Sequence, residues 1–440
     1  MMSDLNTKVT GYLPDETPSF GKLLLFALQQ IIVMFPATVL VALLTGFHVS
    51  TTIFASGLAT LCFLFVTRGK IPLYYGSSFS YISAIVGITG ATAGVQASDA
   101  LISQAQFGII CSGFVSILAG LVVSRFGMDK IEKVLPATVT GPIAMVIGLS
   151  LAGSAMSSAG TVNGEISDKA WLVAGITLLS TILFSVYLKG VWGQLPILFG
   201  IILGYLVSIP LGLVDFSAVL QGKILEIPHF TLPKPNLNAV MAIMPIAIAT
   251  IPESTAHIFQ LDNYINDLAK KKGKERYKIS EKLWLNLIGD GIGDIVASLF
   301  GGPAGTNYGE NISTMAITRN FSTKVLGGAA IMAMIMSFIA PISNAIGTIP
   351  SAVINGACIF LFGVIAAQGA AIMVNKKVDF FSARNLAVIA VIMIVGIGGS
   401  YAFPNGMIPV GSFEFPAIAT AALLGIVLNL VLSIGNKEET

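Results

Sequence analysis

The sequence predicts an all-α integral membrane protein of fourteen transmembrane segments, built as two inverted seven-segment repeats, with short strands and half-helices at segments 3 and 10. Three observations carry this. The composition is too apolar for a water-soluble fold, bilayer-length apolar stretches recur from Leu23 to Ile434, and three features of the first half return in the same order in the second.

The 440 residues are 55% hydrophobic and only 10% charged, and the mean hydropathy of +0.85 lies far above what a soluble core requires. A helix rising about 1.5 Å per residue needs roughly 20 apolar residues to span the hydrocarbon. Segments are expected at 23–45, 52–67, 78–95, 106–124, 135–154, 171–188 and 195–213. The second set is 238–260, 283–301, a short piece at 310–318, then 325–347, 349–373, 386–402 and 414–434.

The opening "MMSDLNTKVTGYLPDETPSFGK" lacks the basic, apolar and small-residue order of a cleaved signal, so the first segment is expected to be retained. Cys62, Cys111 and Cys358 lie inside apolar spans without redox or metal spacing, and only three histidines exist. Disulfide and zinc chemistry, a metal and a cofactor are therefore not expected, and nothing points to nucleic acid.

An even number of segments puts both termini on one side of the bilayer. Of the 24 lysines and arginines, only Lys169, Lys223 and Lys234 fall on the other side, which predicts cytoplasmic termini by the positive-inside rule. The basic run at 270–282 reads as a solvated topological loop, with a lipid or partner site as the alternative.

The repeat appears in three places. "YYGSSFSYI" (74–82) matches "NYGENISTM" (307–315) in a Tyr-Gly step before polar residues and an apolar helix. Upstream, "VMFPATVLVA" and "ATIPESTAHI" carry a mid-helix proline before small hydroxylated residues. Downstream, "VLPATVTG" and "TIPSAVING" open a segment with proline, where its missing N–H costs least. Seven segments per half invert the second copy. Inverted repeats with broken helices near the midplane mark secondary transporters, whose substrate sits between the broken elements.

Residues 301–309, "GGPAGTNYG", oppose helix and suit extended chain. A helix over 310–318 covers about half the hydrocarbon, so a strand enters and a half-helix starts near mid-membrane. "IPLYYGSS" before 78–95 does the same from the opposite side. Irregular backbone at that depth must be buried in protein or line a cavity. Two half-helix starts offer free N–H groups and positive dipole ends, while Glu253 and Glu310 offer carboxylate acceptors. A small planar heterocycle with alternating N–H and C=O groups, such as a nucleobase, matches both sets.

Intramembrane ionisable residues are functional candidates by default. His257 is four residues after Glu253 and shares its helix face. Asp290 and Asp294 are also four apart, and read either as structural groups or as a proton or cation site. Phe79 and Tyr308 read either as core aromatics or as stacking surfaces. His48 and His229 fall in expected external loops and carry no argument.

These residues resemble a family. "GKIPLYYGSSFSYIS", "PESTAH" and above all "GTNYGENISTMAITR" look like the nucleobase/ascorbate transporter (xanthine/uracil permease) family, on its bacterial uracil permease branch. The resemblance runs from "LQQIIVMFPATVLV" through "KVDFFSARNLAVIAVIMIVGIGG". It implies a core domain at 1–127 and 237–348, and a gate domain at 128–216 and 349–440, with the core moving like an elevator and the protein a homodimer. By motif, Glu253 and Glu310 would hydrogen-bond the base, and backbone N–H groups near Phe79 and Gly309 would bind its carbonyls. Phe79, Tyr308 and Ala37 would line it, with Ser78 beside them. Proton coupling would involve Glu253, His257, Gln30 and Asn311. Ser313 replaces the signature glycine, and Gln30 stands where uracil permeases usually have histidine.

The expected function is proton-coupled import of uracil across the cell membrane. Xanthine or uric acid is the nearest alternative substrate. Inorganic anions, carried by related folds, fit poorly with two facing carboxylates. A membrane enzyme using the glutamates as acid and base is the remote alternative, and it lacks a soluble domain, a nucleotide loop or a metal set.

Overall fold

The computed structural model describes residues 10–127, 133–162, 165–217, 219, 223–411 and 413–434. The first nine residues, Lys130 with the far side of the domain boundary drawn at 127/128, and Lys437 lie outside the described residues. Helix overlaps every apolar stretch expected from the sequence. Among the described residues, eight helices are long and apolar enough to cross a membrane. The chain is a multi-pass membrane protein, mostly helical.

Proline punctuates both halves alike. Pro36 lies inside helix Phe20–Thr45 and Pro252 inside Ile246–Lys271. Pro136 and Pro350 cap the starts of Ala137–Ser150 and Ser351–Asn375, where no i−4 carbonyl awaits their missing N–H.

Several boundaries differ from expectation. The stretch 325–347 is two helices, Thr323–Met336 and Ala340–Gly347, because Pro341 can begin a helix but not continue one. The 238–260 stretch divides at Met244–Pro245, and its second helix runs on to Lys271. A hairpin, Met407–Val410 with Phe413–Pro416, precedes the last helix and gave no sequence signal that was read.

The packing obeys the repeat. Helix Asp99–Phe126 lies against Leu283–Leu299, and Val49–Val66 against Thr323–Met336; exchanging the halves turns one pair into the other. Ala137–Ser150 against Ser351–Asn375 exchanges with itself. In the first pair, a Cβ on Gly113 would stand 2.5 Å from the Gly291 carbonyl, and one on Gly291 2.3 Å from the Gly113 carbonyl. These backbones touch as small-residue membrane helices do, where dispersion and close approach replace the hydrophobic effect.

At one end of the bundle, the segment before Phe20 is strapped down. Tyr12 donates its N–H to the Arg319 carbonyl and accepts from the Phe321 N–H, both at 2.8 Å. Glu16 meets Lys272 at 2.6 Å and Lys274 at 2.9 Å. Arg276 pairs with the buried Asp262 at 2.9 Å, and Asp262 also accepts the Ile279 and Ser280 N–H groups. Much of the charge in the basic run is thus paired within the protein, while Lys271, Lys274, Arg276 and Lys278 remain 40–67% exposed to solvent.

Burial pushes the Glu16 carboxyl up, but Lys272, the Leu13 N–H and Lys274 outweigh it and hold the group at about 2, below its ordinary 4.5. A lowered carboxyl stabilises the fold above its unfolded value and stops doing so as pH falls through the folded value. Glu16→Gln is therefore expected to destabilise the purified protein by about 2 kcal/mol at neutral pH. The gap between the variant and wild-type melting curves should close as pH drops from 4.5 toward 2. A gap independent of pH would show that the strap is held by something other than this charge.

Candidate functional site

Two three-residue strands meet in the middle of the bundle. Tyr75–Ser77 pairs antiparallel with Gly305–Asn307, in the register Tyr75 with Asn307, Gly76 with Thr306 and Ser77 with Gly305. Tyr308 N–H to the Tyr74 carbonyl (3.1 Å) and Ser78 N–H to the Ala304 carbonyl (2.9 Å) extend the ladder at its ends. The extended backbone that lipid could not satisfy is satisfied by its counterpart from the other half.

Asp290 and Asp294 hold this crossing. Asp294 accepts the Tyr75 hydroxyl at 2.6 Å and the Gly305 N–H at 2.7 Å. Asp290 accepts Ser254 at 2.7 Å, Asn307 at 2.8 Å and Asn286 at 3.0 Å. The Tyr75 ring stands over Gly305, where a Cβ would lie 2.2 Å from it. Of the two readings left open for this acidic pair, the structure favours the structural one: buried carboxylates that gather neutral donors.

Each strand turns into a short helix after one linking residue. Phe79–Tyr81 is a tight helical turn leading into Ile82–Thr89, and Gly309–Thr318 starts directly. The second start has no side-chain cap, which leaves its first N–H groups without intrahelical partners. Spacing from strand to helix makes Phe79 the counterpart of Gly309 and Ser80 that of Glu310, three residues away from the Tyr-Gly match of the sequences. The two glycines of that match have separate reasons. Gly76 lies under the Tyr308 ring, and Gly309 faces His257, whose Nε2 is 3.0 Å from where a Cβ would stand.

Glu253, on helix Ile246–Lys271, accepts a hydrogen bond from the Ser80 hydroxyl at 3.3 Å. Glu310 lies in the first turn of Gly309–Thr318, near enough to Glu253 for the two charges to interact. Both are half-buried, and among the described residues neither they nor Asp290 and Asp294 pair with a lysine or arginine. The His257 ring faces Gly309, and its Nδ1 is buried without a partner. Glu253, Ser80, His257, Gly309 and Glu310 thus converge where the two half-helices begin.

The other expected residues take supporting places. Asn311 donates to the Gln30 side chain at 2.7 Å and to its carbonyl at 3.0 Å, bracing the half-helix against helix Phe20–Thr45. A carboxamide does not titrate near neutral pH, and these bonds hold the start of the half-helix in position. Tyr308 is 3% exposed, with its hydroxyl 2.9 Å from that of Thr38 and its ring packed over Gly76. Ala37, beside Thr38, is buried, and Ser78 caps the Phe79 turn through the Ser80 N–H. Phe79 is half-buried against the core. Ser80, Thr38 and Asn307 were not singled out in the sequence. Ser80 could have been found by aligning the repeats on the strand-to-helix step.

Two clefts flank this region. One, of about 450 Å³, is lined by Ile82 and Val86 facing Leu151, Ala155 and Phe362. The other, of about 390 Å³, has Pro252 and Thr255 facing Leu135, Thr138 and Ile372. Both lie between elements of the crossed-strand unit and the Ala137–Ser150 and Ser351–Asn375 helices. They share no residue: the first borders the half-helix Ile82–Thr89 and the second borders helix Ile246–Lys271.

Paired broken helices from inverted repeats, with carboxylates at the break, define a membrane carrier. Residues 21–405 match the model of a permease family. A uracil permease of Bacillus subtilis is 37% identical over 426 residues, covering 94% of this chain and 93% of that one. A uracil permease of Escherichia coli is 33% identical, covering 95% and 93%. Among solved structures, the murine Solute Carrier 26 family member A9 anion transporter, in its inward-facing state, superposes with a TM-score of 0.67 at 12% identity, over 96% of this chain and 70% of that one. The transmembrane domain of a cyanobacterial bicarbonate transporter gives 0.53 at 15% identity, over 96% and 100%. These two share the fold. The chain belongs to the xanthine/uracil permease family, and it is a transporter rather than an enzyme.

Proposed function

We propose that this protein imports a nucleobase, uracil first, across the cell membrane by proton symport. The observation that carries the reading is the pairing of two carboxylates, Glu253 and Glu310, with the uncapped helix start at Gly309. Uracil presents ring N–H groups beside carbonyl oxygens, so acceptors and donors at one break meet both. The names of the relatives point to the same substrate. Two separate clefts, one beside the half-helix Ile82–Thr89 and one beside helix Ile246–Lys271, suit alternating access, with a core of segments 1–4 and 8–11 sliding against a gate of segments 5–7 and 12–14. The working topology is fourteen segments with cytoplasmic termini, in a homodimer.

Uptake of labelled uracil into cells or proteoliposomes, challenged with xanthine, uric acid, thymine and adenine, tests the substrate. Uracil itself and close pyrimidines should compete, while adenine, which lacks the ring carbonyls, should not. Uptake of xanthine with none of uracil would overturn the first choice in favour of an oxopurine.

A further inference from the structure

Away from the crossed strands, three side chains remote in sequence come together at one end of the bundle. His48 caps helix Val49–Val66, Asp99 opens helix Asp99–Phe126, and His229 lies in the connection before Leu237. His48 Nε2 is 2.9 Å from one Asp99 oxygen and His229 Nε2 is 2.7 Å from the other. The imidazole rings are 4.4 Å apart, and one ligand atom from each residue lies within 4.8 Å of the others. We propose that His48, Asp99 and His229 form a binding site for a divalent transition-metal ion of the zinc type.

The donor set selects the class of ion. Two imidazole nitrogens and one carboxylate oxygen suit Zn²⁺, Ni²⁺ or Cu²⁺, whereas Mg²⁺ and Ca²⁺ demand oxygen ligands. Three protein ligands leave a coordination position for water, as in open zinc sites. The Asp99 and His229 side chains are 51% and 58% exposed, so an ion can reach them.

The frame is set before any ion arrives. Thr51 donates its hydroxyl to the His229 carbonyl at 2.8 Å and Thr52 to that of His48 at 2.9 Å. The Gln96 amide is 2.8 Å from His48 Nδ1. It also lies 3.0 Å from His48 Nε2, so it stands against the ring edge, and a bound ion would take the place of the Nε2–H that now faces Asp99. The adjoining cleft, about 700 Å³, includes His48 and His229 in its lining together with Asp215 and Glu226, and no lysine or arginine. Its field favours cations.

The test uses full-length protein in detergent, stripped with chelator and freed of any histidine tag. Calorimetric titration with ZnCl₂ should give one ion per chain, undisturbed by millimolar MgCl₂. CoCl₂ should give the visible absorption of a nitrogen- and oxygen-ligated site. His229→Ala, at an exposed position, should stay folded by circular dichroism and weaken Zn²⁺ by about tenfold or more, with His48→Gln doing the same. Failure to bind one equivalent of Zn²⁺, or unchanged affinity in a protein carrying both His48→Gln and His229→Ala, would overturn the site and leave a hydrogen-bonded His–Asp–His cluster.

Discussion

Glu253→Gln and Glu310→Gln are each expected to abolish measurable uracil binding while the purified protein stays folded. The substitution keeps shape and volume, but it removes an ionised acceptor and can turn an amide N–H toward a ligand N–H. A hydrogen bond to a charged group is worth about 1.5–3 kcal/mol, so the loss per glutamate is on the order of a hundredfold in affinity. Neither carboxylate carries the crossing of the strands, which hangs on Asp290 and Asp294. That separation lets binding fail without the fold failing. Ser80→Ala should cost far less, because Ser80 only orients Glu253 through a 3.3 Å bond. Isothermal calorimetry with uracil, beside melting curves of each variant, reads both quantities. Wild-type affinity in either glutamine variant would remove that glutamate from the site.

The breaks were legible because glycine and proline punctuate them: "GGPAGTNYG" cannot be ordinary helix, and a helix starting at Gly309 spans only half a bilayer. The glutamates were legible because charge is costly inside a membrane. The register of the crossing was not. The Tyr-Gly match set Gly76 beside Gly309, although one glycine makes room for the Tyr308 ring and the other for His257. Identical letters there have different steric causes, and only the pairing of the strands separates them. The break before Ala340 was readable from Pro341 but was passed over inside a long apolar run. The His48, Asp99 and His229 cluster had no local signature, since its members lie 51 and 130 residues apart.

Uptake into proteoliposomes is expected to follow an inward proton gradient and to ignore a sodium gradient. A sodium ion needs several free oxygen ligands, and the acidic pair first considered for that task is occupied. Asp290 accepts hydrogen bonds from Ser254, Asn286 and Asn307, and Asp294 accepts from Tyr75 and the Gly305 N–H. Glu253, by contrast, has the Ser80 hydroxyl as its hydrogen-bond partner and no lysine or arginine against it among the described residues, so its charge must be met by something that arrives with the substrate. A proton does this with no coordination shell, and it spares the moving core the cost of carrying a bare charge past the gate. His257 lies one turn along the same helix with an unpartnered Nδ1, while Gln30 and Asn311 hold each other and cannot titrate. His257→Ala should therefore flatten the pH dependence of uptake more than it weakens uracil binding. Full-rate uptake on a sodium gradient, with pH clamped equal on both sides, would sink proton coupling and require Asp290 and Asp294 to shed their donors in another conformation.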